Sequence, residues 1–335
     1  PRTRALGGVS PDRLEALLSA APDIEVLVVG DLMLDRYVSG HVNRVSPEAP
    51  VPVVRVDTSE SAVGGAGNVA ANITALGARC SVVGCVGEDP AADLLGGALT
   101  ALQVGVDGVV RDGDRPTTEK TRILAGQHQI VRFDVESHDD VSAEVASELV
   151  LRITDLAQGV NAIVVEDYNK GVLVPAVIES VRQVAAVRGI PWIVDPKRRN
   201  FFRFQGATVL KPNAHELQDA LGEFIHPDDP AWMEDVRSRL ECQNLLLTMG
   251  ERGMALQTAE GASLRVPAVA RGVYDVSGAG DTVTALTALV LAFGGSIEEA
   301  ACLANHAAAI EVGKPGVATV SPNELRSQLA ARAIT

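Results

Sequence analysis

The sequence predicts an α/β protein with a mainly parallel central sheet flanked by helices and a small β-sheet lid. Short apolar runs rich in Val and Leu alternate with helical segments, as buried parallel strands and their crossover helices do. Hydrophobic residues make up 47% of the chain but aromatic residues only 3%. The 335 residues suffice for one large core. We expect a single domain over 1–335, with a lid from about 36–60 and 107–135.

Charge and composition exclude several classes of partner. There are 29 Lys and Arg against 43 Asp and Glu, a net charge of −14, and no basic run exceeds 197–199. This argues against nucleic-acid partners and against anionic membrane surfaces. The four cysteines lack C-x-x-C spacing, which is typical of a reducing compartment. Residues 1–8 lack the apolar core of a signal peptide, and the apolar stretch ending at Phe293 is too short to span a bilayer. These features predict a cytoplasmic protein.

The first strand of the main sheet brings two acids to its end. Pro11–Ala20 is predicted to be a helix, and Ile24–Gly30 a buried strand. Asp31 and Asp35 follow at the carboxyl end of that strand, where open α/β sheets place their ligands. Both acids could accept hydrogen bonds from sugar hydroxyls. The alternative is that one caps a turn while the other is solvated.

A first glycine turn begins at Gly64 and runs into a helix that ends at Gly77. Gly65, Gly67 and Ala70 match G-x-G-x-x-A, the pattern of dinucleotide-binding proteins, so an NAD-dependent dehydrogenase using Gly65–Ala70 is one hypothesis. The turn, however, lies after residue 60 and not after the first strand. Asn68 at the helix start could cap the helix or hydrogen-bond a polyol ligand.

The predicted lid consists of alternating, half-polar segments. Residues 51–56, 118–124 and 129–134 read as strands of a small sheet with one wet face. Lys120, Arg122 and Arg132 add positive charge to it. They are either ordinary surface charges or cations that face a ligand.

Further apolar strands are predicted at 161–166, 191–197, 207–213 and 244–250. The third leads into Asn213-Ala-His-Glu216 at the start of a helix. An amide and a carboxylate three apart there can hold hydrated Mg²⁺ beside a phosphate. The same residues also fit an ordinary N-cap with an acid at the third helical position.

A second glycine turn, Asp275–Asp281, precedes an apolar helix. Gly278 and Gly280 permit a tight turn and close approach of a ligand. Free N–H groups at the helix N-terminus attract a phosphate. Asp281 lies in the same turn, where it can take a proton from an attacking hydroxyl while the N–H groups hold the transferring phosphoryl. The alternative is that Asp281 only complements the helix dipole.

Taken together, these motifs resemble the ribokinase family of sugar kinases over nearly the whole chain. The first family signature is similar to 64–73 with 86–89, the second to 275–281, and the N-x-x-E element to 213–216. Within the family, several segments are most similar to kinases of D-glycero-β-D-manno-heptose 7-phosphate. These segments are 30–37, 44–53, 167–171, 195–197 and 281–283.

The resemblance implies a ribokinase-like fold and transfer of the ATP γ-phosphoryl to the anomeric hydroxyl. The product would be a heptose 1,7-bisphosphate for ADP-heptose biosynthesis. A kinase of another sugar or sugar phosphate is the alternative. The implied cofactors are ATP and Mg²⁺, with a monovalent cation left open. The implied partners are small molecules and a second copy of the chain bound through the lid.

The resemblance also implies a role for particular residues. Asp281 would be the catalytic base and Gly278, Ala279 and Gly280 the anion hole. Asn213 and Glu216 would organise Mg²⁺ through water. The sugar would be contacted by Asp31, Asp35, Gly64, Gly65 and Asn68, with Lys170 or lid cations near the 7-phosphate. The nucleotide would be bordered by Asn213, Ala214, His215, Glu216, Thr248, Gly250 and Asn305.

Overall fold

The computed structural model describes residues 4–5, 9–126, 128–270 and 272–330. Its α-helices are α1 Pro11–Ala20, α2 Ala66–Ala75, α3 Pro90–Ala101, α4 Ala143–Leu156, α5 Pro175–Arg188, α6 Ala214–Leu221, α7 Pro230–Arg239, α8 Ala279–Ala292, α9 Ile297–Glu311 and α10 Pro322–Ala330. Its strands are β1 Arg4–Ala5, β2 Glu25–Gly30, β3 Leu32–Val45, β4 Pro52–Gly65, β5 Arg79–Gly87, β6 Val104–Asp112, β7 Thr118–Ala125, β8 His128–Val135, β9 Ala162–Glu166, β10 Trp192–Asp195, β11 Val209–Leu210, β12 Asn244–Thr248, β13 Met254–Gln257 and β14 Ser263–Val266.

A ten-stranded sheet forms the centre, in the order β1-β14-β13-β12-β11-β10-β9-β2-β5-β6. The strands from β12 to β6 pair in parallel, and the β12-β13-β14 meander is antiparallel. Parallel strands need crossover helices, which cover both faces with apolar side chains. One core cluster lies under α1, α2, α3, α8, α9 and α10, and the other under α4, α5, α6 and α7. The predicted fold class is confirmed.

The lid is a four-stranded sheet in the order β4-β3-β7-β8. The strands β3 and β4 are long: they begin or end at the main sheet, at Leu32 and Gly65, and pair with each other out to Val45 and Pro52. The prediction that the lid includes 107–112 is wrong, because these residues belong to β6 and pair in parallel with β5 at the edge of the main sheet. The second lid segment begins at Thr118.

Helix starts follow their capping residues. Ser10, Asp89 and Ser142 accept hydrogen bonds from main-chain N–H groups in the first turns of α1, α3 and α4, as their short polar side chains favour. Among the described residues, no helix is long and apolar enough to cross a membrane.

Candidate active site

The candidate site lies at the carboxyl edge of the main sheet, below the lid. Asp31 follows β2, Glu166 ends β9, Asp195 ends β10 and Lys211 follows β11. Neighbouring parallel strands therefore deliver four charged side chains to one edge. All four are buried. The N-terminus of α8 meets the same edge, because Gly280 lies close to Lys211 and Asp195.

The second glycine turn places the N-terminus of α8 over these charges. Gly278 is the N-cap, with φ of +94°, a conformation that favours glycine. A Cβ atom there would lie 3.0 Å from Asn68 Nδ2. At Gly280, a Cβ atom would lie 3.6 Å from Lys211 Nζ and 3.8 Å from Asp195 Oδ2. The turn thus packs tightly against the sheet edge. The Ala279 N–H donates to the Val276 carbonyl at 3.4 Å, so the next N–H groups of α8, those of Gly280 and Asp281, are the ones available to an anion.

Asp281 is held by two donors from distant parts of the chain. Its Oδ2 accepts a hydrogen bond of 2.6 Å from Asn68 Nδ2, and its Oδ1 one of 2.9 Å from the Tyr168 hydroxyl. Burial raises the pKa of Asp281 to about 6, against the opposing effect of the Asn68 hydrogen bond. A carboxylate with this pKa is ionised at neutral pH and can accept a proton. Its role as the base stays a prediction.

Three carboxylates are gathered beside the turn. Oxygen atoms of Glu166, Asp195 and Asp281 lie within 4.8 Å of one another. Asp195 Oδ2 accepts a hydrogen bond of 2.8 Å from Lys211 Nζ. Neither oxygen of Glu166 has a hydrogen-bond partner among the described residues. Burial, with the charges of Asp195 and Asp281, holds the pKa of Glu166 well above its ordinary value.

The Asn213–Glu216 pair forms a reciprocal cap on α6. Asn213 Oδ1 accepts from the Glu216 N–H at 2.9 Å, and Glu216 Oε2 accepts from the Asn213 N–H at 2.8 Å. Glu216 Oε1 also lies 2.5 Å from Lys197 Nζ. The capping alternative therefore describes the observed geometry, and the role of this pair in binding Mg²⁺ stays a prediction. Of the other two predicted residues, Ala214 opens α6 and His215 faces solvent beside Asp219.

The predicted sugar contacts are brought together, but three of them already have partners; that of Asn68 is Asp281. Asp31 accepts from the N–H groups of Tyr168 and Lys170 at 2.7 and 3.1 Å, and thus orders the loop after β9. Asp35 Oδ1 lies 2.5 Å from Arg122 Nη1. Gly64 packs against the Asp35 side chain. The remaining two predicted contacts, Gly65 and Asn68, lie at the start of α2.

The predicted cations differ in how they are paired. Lys170 Nζ lies 2.7 Å from Glu136, and the more exposed Arg132 lies 3.0 Å from Asp134. Lys120 pairs in register with Asp35 across β3 and β7. Its ammonium contacts Met33 Sδ at 2.8 Å and lies 5.6 Å from the centre of the Tyr168 ring. Burial lowers the pKa of Lys120. Among the described residues, no carboxylate forms a salt bridge with it.

A cavity of about 650 Å³ adjoins the glycine turn on the side of β12 and α9. Thr248, Gly250, Asn305, Ala279 and Gly280 all line it, together with apolar side chains such as Val269 and Val283. An apolar slot with a few polar groups suits an aromatic base. Three of the residues predicted to border the nucleotide, Thr248, Gly250 and Asn305, therefore share this cavity with part of the predicted anion hole. The other four, at 213–216, are not among its lining residues.

Several charged residues of the site were not assigned a role from the sequence. Tyr168, Glu166 and Lys211 read as ends of strands, and Glu311 as an ordinary polar position of a helix. Glu311 is fully buried at the C-terminal end of α9, and its oxygens have no hydrogen-bond partner among the described residues. Burial, with the charges of Asp281 and Asp275, raises its pKa to about 8. No local pattern in the sequence signals these positions.

Comparison with known proteins defines the class. The model of the family described as "pfkB family carbohydrate kinase" matches residues 23–324, so the protein is an ATP-dependent sugar kinase. The chain belongs to the pfkB family of carbohydrate kinases. The dehydrogenase hypothesis is therefore replaced. Within Gly65–Ala70, Gly65 ends the lid strand β4 and caps α2, and the other residues form the first turn of α2.

Curated relatives and solved structures agree with this family. The chain is 43% identical over 314 residues to "Bifunctional protein HldE" of Geobacter metallireducens, which covers 93% of this chain and 64% of the relative. The protein of the same name from Geotalea uraniireducens is 43% identical over 318 residues, 94% of this chain and 65% of the relative. The chain thus spans slightly less than two thirds of these relatives.

Two solved structures show the shared fold. Arabidopsis thaliana ribokinase, in a complex with ribose and ATP, aligns with a TM-score of 0.70 and 21% identity, covering 91% of this chain and 98% of that one. Phosphofructokinase-2 from Escherichia coli, in complex with potassium, aligns with a TM-score of 0.75 and 18% identity, covering 92% and 99%.

Proposed function

We propose that the protein transfers the γ-phosphoryl group of ATP to the anomeric hydroxyl of D-glycero-β-D-manno-heptose 7-phosphate. The observation that carries the proposal is the buried Asp281 carboxylate, held by Asn68 and Tyr168 at the N-terminus of α8. The choice of sugar is supported by the heptose-kinase-like segments of the sequence. Similarity to the HldE proteins also supports it. The product would be the 1,7-bisphosphate used in ADP-heptose biosynthesis.

The mechanism follows from the position of Asp281. The carboxylate accepts the proton of the attacking anomeric hydroxyl, whose oxygen forms the new bond to phosphorus as the bond to the ADP oxygen breaks. The N–H groups of Gly280 and Asp281 face the negative charge of the transferring group. Asn68 and the Tyr168 hydroxyl keep the carboxylate oriented. Because phosphoryl transfer depends chiefly on positioning and charge stabilisation, this equipment is sufficient.

The carboxylates of the site fit a hydrated Mg²⁺ ion. Glu166 offers two buried oxygens without hydrogen-bond partners among the described residues, and Asp195 Oδ1 is likewise free of a donor at hydrogen-bond distance. Hard oxygen ligands and retained waters are what Mg²⁺ prefers. We assign Glu166 and Asp195 to the ion's shell alongside Asn213 and Glu216. When bound, the ion neutralises charge on the ATP phosphates.

The phosphate already on the sugar needs a cation at the lid. Lys120 suits this task because no carboxylate of the described chain pairs with it, whereas Arg122 is engaged by Asp35 and Lys170 by Glu136. Its ammonium faces the Tyr168 ring, next to Asp281. Lys120 would thus bind the 7-phosphate, and Lys170, the contact predicted from the sequence, is the alternative that the assay below tests.

We also propose a homodimer formed through the lid. Within the described part of the chain, the edge strand β8 of the lid pairs on one side only, with β7. Exposed apolar side chains cluster on the strands of the lid. Such a patch favours burial against a partner. These side chains are Val42, Val45, Val56, Ile130, Val131, Phe133 and Val135. Light scattering after size exclusion measures the mass in solution. We expect a dimer for wild type and a monomer for Phe133→Asp; a monomer mass for wild type would refute the proposal.

The test of function is a substrate panel with coupled detection of ADP. Heptose 7-phosphate, the dephosphorylated heptose, fructose 6-phosphate and ribose are assayed with wild type, Lys120→Ala and Lys170→Ala. We expect the heptose 7-phosphate to give the highest kcat/KM, and Lys120→Ala to raise its KM by about tenfold, equivalent to roughly 1.4 kcal/mol. Arg132→Ala is the matched control, because Arg132 lies on the lid but is exposed and paired with Asp134. Equal use of the unphosphorylated heptose, with no effect of either lysine, would refute the phosphosugar assignment.

A further inference from the structure

Lys211 is buried at the centre of the site, although no role follows from the sequence around it. It comes directly after β11, and only 2% of its surface is exposed. Lysine is almost never fully buried unless it is paired. Its ammonium donates a hydrogen bond of 2.8 Å to Asp195 Oδ2. The side chain is therefore a buried cation.

The ammonium lies against the glycine turn. A Cβ atom on Gly280 would come within 3.6 Å of Lys211 Nζ, and within 3.8 Å of its partner oxygen on Asp195. Gly280 belongs to the first turn of α8, whose N–H groups are proposed above to face the transferring phosphoryl group. Lys211 thus adds a full positive charge to the point at which the helix already concentrates partial positive charge.

The pairing with Asp195 does not by itself explain why a lysine is buried here. Desolvation of two charges can cost more than their attraction returns, so a buried ion pair is weak evidence for stability. A second cation, Lys197, also approaches Asp195, at 3.6 Å from Oδ1, and is held by Glu216 at 2.5 Å. Asp195 therefore has another counter-ion. The position of Lys211 below Gly280 has a more specific use.

We propose that Lys211 is a fixed cation of the phosphoryl-transfer centre, whose ammonium group stabilises the negative charge on the transferring γ-phosphoryl together with the N–H groups of α8. The inference needs only the kinase reaction and not a particular sugar. Lys211 acts as an electrostatic and positioning residue while it remains bound to Asp195. Such preorganised charge acts most strongly in a site that excludes water.

The test compares nucleotides with and without the third phosphate. Lys211→Met keeps a long, unbranched side chain, one heavy atom shorter than lysine, and removes its charge. By calorimetry with Mg²⁺ present, we expect the affinity for AMP-PNP to fall about tenfold, or about 1.4 kcal/mol in binding free energy. The affinity for ADP should fall by less than about threefold, or about 0.65 kcal/mol. In steady-state assays kcat should fall about 10²-fold or more, as on loss of one oxyanion-hole donor, while the KM for the sugar changes little.

A matched control separates this effect from the loss of a buried ion pair. Lys170→Met breaks another lysine–carboxylate pair, with Glu136, which is less deeply buried than the Lys211–Asp195 pair. Because Lys170 is itself a proposed contact of the sugar phosphate, this control is used only for nucleotide binding, measured without sugar. It should preserve the preference for AMP-PNP over ADP. If Lys211→Met does not fold, the double variant Asp195→Asn/Lys211→Met removes both charges of the pair and is compared with Asp195→Asn alone.

The outcomes are distinct. A selective loss of AMP-PNP affinity in Lys211→Met, or in the double variant relative to Asp195→Asn, supports the proposal. Equal losses of affinity for both nucleotides would mean that Lys211 only balances the charge of Asp195. The same conclusion would follow if kcat stayed within about twofold of wild type, or of Asp195→Asn for the double variant, because loss of a transition-state donor lowers kcat far more.

Discussion

Replacement of Asp281 by asparagine isolates the proposed base from the rest of the glycine turn. The amide is nearly the same size as the carboxylate, so it can remain between Asn68 and Tyr168, which lie 2.6 and 2.9 Å from the two oxygens. The Tyr168 hydroxyl can rotate to accept where it now donates. The turn and the N–H groups of Ala279 and Gly280 should therefore keep their places. What disappears is the group that accepts the proton.

The size of the effect follows from the state of the carboxylate. With its pKa raised to about 6, about nine tenths of Asp281 is ionised at pH 7. Nearly all wild-type molecules thus carry the base. Its loss should lower kcat by roughly 10²–10⁴-fold, or about 2.7–5.5 kcal/mol in activation free energy. Affinity for AMP-PNP should stay within about threefold, because the amide leaves the anion hole in place.

Coupled ADP detection at saturating ATP and sugar gives kcat, and calorimetry gives the nucleotide affinity. Glu311→Gln is the matched control: Glu311 is also buried next to the glycine turn, 3.2 Å from where a Cβ atom of Gly278 would lie. Its pKa of about 8 makes it mostly neutral at pH 7, so the amide changes little charge. If Asp281→Asn keeps more than about half of wild-type turnover, the residue is only a helix-end acid.

Three further predictions concern the pH profile, the Mg²⁺ requirement and the stability of the protein. The acid limb of kcat/KM for wild type should lie near pH 6, since the protonated Asp281 cannot act as a base. Tyr168→Phe removes a donor to the carboxylate and should move this limb upward by about one pH unit. A profile of kcat/KM from pH 4.5 to 8 measures both. Glu216→Gln should raise the Mg²⁺ concentration for half-maximal rate, and an unchanged requirement would leave Glu216 as a cap only. Glu311→Gln should become more stable than wild type as pH rises from about 5 to 8, by about 1 kcal/mol or more, because the folded-state pKa is raised and ionisation of the wild-type carboxyl disfavours the folded state; equal urea midpoints at both pH values would contradict this.

The architecture could be predicted from the sequence because its signals are local. Ser10 before Pro11 marks the start of α1, and the glycine turn before Asp281 marks the start of α8. Apolar runs flanked by turn residues mark the parallel strands. The capping box at Asn213 was likewise visible as a spacing of three residues.

Other features arise only when distant segments meet. Lys211, in the sequence Leu-Lys-Pro, resembles a surface lysine until β10 places Asp195 next to it. Tyr168 has no motif that would link it to Asp281, 113 residues away. The prediction of the lid boundary was wrong for a related reason. The alternation of apolar and polar residues in Val104–Asp112 belongs to an edge strand of the main sheet and not to a separate sheet. Pairing between strands, which sequence period alone does not encode, decides such cases.

The continuity of β3 has a mechanical consequence. Asp35 and the far end of the lid at Val45 belong to one strand, and the returning strand β4 ends at Gly65, at the start of α2. No loop separates Asp35, one of the proposed sugar contacts, from the tip of the lid. Bending is expected where the pairing of the two strands shifts register, at Ser39/Gly40 and Val42/Arg44, since β-bulges are the places at which paired strands bend and twist. We therefore expect a small displacement at Asp35 to be transmitted along β3 as a larger displacement at the tip.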